Sequence, residues 1–265
     1  MKMTKVQLKS IQDKKRIAKA MKVDAIKVGK YLEKAQTTLF TEPFKTQLEA
    51  EKVVGGLSRT EKMPCPSLSL PAESCKMGMK MRNTPGTVCS KCYALKGCYV
   101  FERSKVALQR RLMLLEHPQW VDAMVFICKD RKYFRWHDSG DLQSVSHLKM
   151  IAEVARRTPN TLHWLPTREY QMVAQFIQED TVPDNLIIRL SANKIDGVPP
   201  VALAKKLGVC VAGVSKVEWD CRAYDNDGQC GECRRCWNSN EFCVTYKYHQ
   251  KDTLTKIRKE KALCS

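Results

Sequence analysis

Eight of the thirteen cysteines in this 265-residue chain fall into two groups, Cys75, Cys89, Cys92 and Cys98 near the middle and Cys221, Cys230, Cys233 and Cys236 towards the C-terminus. Thiolates gathered within a few residues are ligands for zinc or for iron–sulfur clusters, because one ion or cluster can reach them all. The second group is the tighter signal. Cys230-x2-Cys233-x2-Cys236 places three thiols on one short loop, with Cys221 as the expected fourth ligand and Cys243 in reserve. An odd number of cysteines leaves at least one without a disulfide, and in a reducing cytosol metal binding explains so many thiols better than disulfides do. Cys65, Cys128, Cys210 and Cys264 stand alone in sequence, and a lone cysteine usually acts as a small buried hydrophobe. His249 is a spare ligand whose simpler role is structural.

Other chemistry-bearing residues cluster just after short apolar runs. His137, Asp138, Ser139, Gly140 and Asp141 follow one run, Thr167, Arg168 and Glu169 another, and Ser191 and Asn193 a third. His137 and Asp138 are candidates for acid–base work, against the simpler reading of a hydrogen-bonded core histidine. Cys98 is a candidate hydrogen-atom donor or fourth ligand, or has no role. Arg168 and Glu169 could bind a ligand or simply pair with each other.

The elements that must position these groups alternate. After Gly55 and Gly56, the runs Ser67 to Leu70, Tyr133 to His137, Thr161 to Leu165, Leu186 to Leu190 and Val209 to Val214 read as strands. Between them lie helical patterns, with Ser144 placed as an N-cap and Pro200 and Gly208 bracketing another helix. This grammar predicts an α/β protein with a partial or irregular β/α barrel, in which residues at the C-terminal ends of strands line the site. Residues 1–56 read as a basic helical extension of two or three helices, 57–218 as the barrel-like domain with the first cysteine site, and 219–265 as a cysteine-rich segment with the second.

The formal charge is +18, and residues 1–34 hold eleven basic side chains against three acidic ones. Such density attracts polyanions, DNA or RNA first among them, although a charged stripe can also do no more than solvate a helix. No apolar stretch is long enough for a signal peptide or a membrane span, so the sequence implies a cytoplasmic protein with no membrane partner.

A cluster held after the first strand, with polar groups delivered by later strands, resembles the layout of radical S-adenosylmethionine enzymes. That resemblance implies a [4Fe–4S] cluster on Cys75, Cys89 and Cys92, with Gly140 and Asp141 receiving the methionine amino group. Arg168, Ser191 and Asn193 would take its carboxylate or the ribose, and Tyr93 would lie against the adenine. The spacing departs from the usual Cys-x3-Cys-x2-Cys, since thirteen residues separate Cys75 from Cys89. Loop length costs closure entropy only slowly, so the insertion is tolerable.

Five motifs also resemble the phage gene-product-88 family: Ser67-Leu-Ser-Leu-Pro-Ala, Cys89-Ser-Lys-Cys92-Tyr93-Ala94, Phe134-Arg-Trp-His-Asp-Ser-Gly140-Asp141, Trp164-Leu-Pro-Thr-Arg168 and Cys230-Gly-Glu-Cys233-Arg-Arg-Cys236-Trp237. The resemblance spans roughly residues 65 to 249 and implies an encoded role inside a host cell's cytoplasm. Together the readings give a radical enzyme acting on a nucleic acid or nucleotide, with one or two [4Fe–4S] clusters, S-adenosylmethionine and a reductant such as flavodoxin or ferredoxin. The rivals are a non-enzymatic nucleic-acid-binding protein with structural zinc, and a phage protein that redirects a host enzyme.

Overall fold

The structure, a computed structural model, describes residues 5–37, 44–60 and 62–248. A 33-residue helix, α1 (Lys5–Thr37), is the first of two helices among the described residues of the segment where two or three were expected. α2 (Gln47–Val54) opens on a capping box, in which Thr46 accepts from the Glu49 N–H and Glu49 reaches back to the Thr46 N–H. Then come β1 (Ser67–Leu68), α3 (Lys76–Met81), α4 (Glu102–Met113), α5 (Trp120–Cys128), β2 (Tyr133–Trp136), α6 (Val145–Arg157), β3 (Leu162–Thr167), α7 (Tyr170–Glu179), β4 (Leu186–Ser191), α8 (Val201–Leu207), β5 (Cys210–Ser215) and β6 (Cys243–Lys247). Ser144 caps α6 by accepting from the His147 N–H, and Gly208 ends α8 in the left-handed conformation, as their types predict.

The six strands form one sheet in the order β1-β2-β3-β4-β5-β6, every neighbouring pair parallel. The α/β expectation therefore holds, and sequential parallel order is the connectivity of a β/α barrel. The ladder ends at β1 and at β6, so the sheet is open. β6 was not among the strands expected: Cys243-Val-Thr-Tyr-Lys247 follows the cysteine loop and carries only one fully buried residue, Val244.

Side chains sort to two faces. Phe134, Trp136, Leu165, Ile188, Leu190 and Val211 point into a core shared with α2, α5, α6, α7 and α8. On the opposite face Trp164, with Tyr133, Leu162 and Tyr246, packs against Met63, Cys65, Cys230, Cys236 and Trp237. Helices thus cover one face of the sheet and the cysteine-rich segment covers part of the other. No helix among the described residues is long and apolar enough to cross a membrane.

α1 runs alongside α4 in the same direction. Arg16 pairs with Glu102, Asp24 with Arg110, and Tyr31 stacks on His117, each pair separated by the same 86 positions. Constant offset means parallel helices in fixed register.

Candidate functional site

The loop after β1 returns Cys89 to Cys75 through a folded excursion. Cys75 stands at the start of α3, with its carbonyl accepting from the Met79 N–H. Residues 86–88 then pair with the chain leaving β4: Val88 N–H donates to the Asn193 carbonyl, Ile195 N–H to the Gly86 carbonyl, and Thr87 bridges Lys194. Gly78 permits the closure, because a Cβ there would lie 2.8 Å from Cys75 Cβ and 3.8 Å from Cys89 Sγ. Thirteen intervening residues therefore bring two distant thiols together, with Cys92 electrostatically coupled to both.

Two carboxylates face this group. Asp141, at the end of β2, accepts from the Thr167 hydroxyl (2.6 Å), the Leu142 N–H (2.8 Å) and the Arg168 N–H (2.9 Å), lashing β2 to β3. Burial pushes its carboxyl up to about 6, against those hydrogen bonds. Glu169, 5% exposed, accepts from the Met77 N–H at 2.8 Å and acts on Cys75. It reaches across the mouth to the cysteine loop and does not pair with Arg168. Arg168 donates from Nε to the Ala192 carbonyl, and its charge favours a thiolate at Cys89 against the effect of burial. Burial pushes the Cys75 thiol well up, so a bound cation would be needed to hold these sulfurs ionised.

Gly140, Ser191 and Asn193 are brought to the same end of the sheet. Gly140 has φ of 82°, and a Cβ on it would meet Leu70 Cβ at 2.5 Å, so close packing of the β1 and β2 exits demands glycine. Ser139 reinforces that contact by donating its hydroxyl to the Leu70 carbonyl. The Tyr170 hydroxyl donates to the Ser191 carbonyl and to Asn193 Oδ1, fixing the exit of β4.

The expected acid–base pair is not assembled. His137 takes φ of 58° and turns its ring onto His147 of α6, 5.3 Å away between centroids, where it is buried with neither ring nitrogen hydrogen-bonded. Burial holds it well below the usual histidine range. Asp138 is spent on structure: its carboxylate accepts from the Ser67 and Tyr99 hydroxyls (2.8 and 2.7 Å) and its carbonyl from the Tyr93 hydroxyl. It ties the cysteine loop to β1 and β2. Cys98 is disulfide-bonded, which removes it as a free hydrogen donor or ligand. Tyr93 keeps its place at the mouth with 43% of its surface exposed.

The second group assembles on the covered face of the sheet. Cys221 is coupled to both Cys230 and Cys236, and Cys233 to Cys230, whereas Cys243 packs into the opposite, helical core. Cys221, the expected fourth thiol, therefore lies on the side of Cys230 and Cys236, and Cys243 does not. Cys65, expected to be an isolated core residue, lies against Cys230 in the same cluster. His249 and Cys264 lie outside the described residues. Arg189 of β4, fully buried, donates to the carbonyls of Cys236, Arg235, Asn238 and Glu241 at 2.6 to 3.1 Å. No carboxylate pairs with it among the described residues, so thiolates at this group would supply its counter-charge. Arg135 of β2 lies over the Trp164 ring, 4.4 Å from the centroid, and acts on Tyr93 and Asp138 on one side and Cys65 and Cys236 on the other.

The donor sets are all-thiol and soft, which suits iron–sulfur or zinc. Among the described residues no three Cys, His, Asp or Glu side chains are grouped closely enough to hold one metal ion. The model of the Gene product 88 family matches residues 31–239. The chain belongs to that family. The match takes in the last seven residues of α1, the first cysteine group, and the second group through Cys236. No curated protein and no solved structure matches this family member.

Arg135 and Arg189 are the residues whose importance the sequence reading passed over. Two arginines inside otherwise apolar strands, Phe134-Arg-Trp and Ile188-Arg-Leu, were the available signal, since a charge is rarely buried without purpose.

Proposed function

We infer that this gene-product-88 protein is an iron–sulfur enzyme of the radical S-adenosylmethionine type that modifies a nucleic acid or nucleotide. The observation that carries the reading is the convergence of Cys75, Cys89 and Cys92 with Asp141, Glu169 and Arg168 at the C-terminal ends of parallel strands in sequential order. Such ends are where β/α proteins place their chemistry. When bound there, a [4Fe–4S] cluster with S-adenosylmethionine supplies a 5′-deoxyadenosyl radical on reduction.

The chain's own part is to bind and orient. Glu169 offers a buried carboxylate for an amino group, a role that Asp141, with three hydrogen bonds already accepted, fills less well. Arg168 offers a cation for a carboxylate, and Tyr93 a ring held by its hydroxyl for an adenine. The C-terminal group, packed beneath the mouth around Arg135, suits a second cluster that passes electrons or braces the sheet.

Metal analysis of anaerobically purified protein tests the reading. Iron and acid-labile sulfide sufficient for two clusters, with 5′-deoxyadenosine released on reduction, are expected. Zinc without sulfide would overturn it and favour a structural binding module.

A further inference from the structure

The basic residues of this protein are not only on its N-terminal helix; they also ring the mouth of the first cysteine site. Residues 72–105 carry seven basic side chains against two acidic ones, Glu73 and Glu102. Lys76, Lys80, Arg82, Lys91, Lys96 and Arg103 are exposed, and none has a carboxylate partner among the described residues. Apolar groups interleave with them: Met79 is 42% exposed, Tyr93 43% and Phe101 56%.

The register of α1 extends this surface. α4 starts at Glu102, directly after the cysteine loop, and Arg16 of α1 sits beside that start. The helical residues from Lys5 to Lys15 therefore project past it on the mouth side, by about 16 Å at the usual rise per residue. Lys14 and Lys15 are exposed on this overhang, and Lys19 and Lys22 on the turns that follow beside α4. Rim and overhanging helix form one basic track bordering the partly buried thiols.

The geometry points to a single-stranded nucleic acid as the occupant of this track, with its backbone on the lysine rim and an unpaired base on Phe101. This rests on the reading that the mouth acts on a nucleotide. A base stacked in a duplex cannot approach recessed thiols, whereas an unpaired one can turn into them. A backbone followed by positive charge, with bases on aromatic faces, is the usual physics of single-strand binding.

Fluorescence anisotropy on the full-length protein, with a labelled oligonucleotide either single-stranded or paired, tests it between about 50 and about 200 mM salt. The single strand should bind more tightly than the duplex. Lys96→Glu with Arg103→Glu should weaken it at least tenfold and flatten the salt slope by about 1.4, two phosphates' worth. Lys205→Glu with Lys206→Glu on α8, an equal change in net charge, should cost less than twofold. Phe101→Ala should weaken binding about fivefold, the low end of one lost base stack. Duplex bound as tightly as single strand, or equal losses from the two charge variants, would overturn the assignment; so would a polyglutamate chain that competes as well as the strand, which would indicate an acidic protein partner. The assay needs no cofactor cleavage. Intact strand binding in a protein that never releases 5′-deoxyadenosine would sink the enzyme reading alone, and cleavage without strand binding would sink the track alone.

Discussion

The two cysteine groups share their donor atoms and differ in almost everything around them. The first lies at the open end of the sheet, its thiols half-buried beside two carboxylates and Arg168, under an exposed basic rim. The second lies against the sheet's covered face, walled by Trp164, Trp237 and Tyr246 and clamped by Arg189 through four backbone carbonyls. One group has neighbours that could hold a ligand, and the other has neighbours that hold the protein. Donor identity alone therefore says little about role; it is the surroundings that distinguish the two groups.

The sharpest way to break this contrast is to remove a thiol from each group. Cys89→Ala or Cys92→Ala should abolish 5′-deoxyadenosine formation, with a loss of more than about a thousandfold, while thermal stability and oligonucleotide affinity stay close to those of the parent. Cleavage that survives either change would remove the chemistry from the mouth.

Arg189→Met should act in the opposite way. Leaving four carbonyls without their donor and the thiol group without its nearby cation should cost about 3–5 kcal/mol, read as a lower denaturant midpoint. Its effect on catalysis should follow the unfolded fraction only. A stable Arg189→Met variant that still binds metal at the second group would show the clamp to be dispensable.

Gly140→Ala tests the joint between the regions. A Cβ 2.5 Å from Leu70 Cβ, on a residue with φ of 82°, should cost about 2–4 kcal/mol and shift the exits of β1 and β2 under the cysteine loop. Activity should fall further than folded protein does, because the first group depends on that loop and the second does not.

A further test is of pH. His147 and His163 are pushed down to about 4 and about 3 by burial, and His137 lower than usual for the same reason. An unfolded chain takes up protons on these rings below about 6.5 while the folded one does not, so each makes stability fall as pH drops. Asp141, raised to about 6, works the other way from about 6 down to 3.8, since the folded state then binds the extra proton. Three histidines against one carboxyl leave a net loss of stability as pH falls between roughly 6 and 4. A denaturation midpoint that is flat from pH 6 to 4.5 would mean that these rings are hydrogen-bonded to water and titrate normally.

Much of this was legible in the chain itself. The five expected strands are present to within a residue or two, except that β1 is shorter, because apolar runs bounded by turns and helix caps depend on local spacing. The two cysteine groups were legible for the same reason. Tertiary structure decided what local spacing cannot encode. It folded residues 76–88 into a helix and a paired segment so that Cys75 meets Cys89, turned His137 away from the mouth, and committed Asp138 to holding Tyr99 and Ser67. It also recruited Cys65, Arg135 and Arg189 to a group whose cysteines lie far along the chain. Ligand types and strand ends are properties of neighbouring residues, whereas the partner a side chain meets depends on which distant elements the packed sheet brings within a few ångströms.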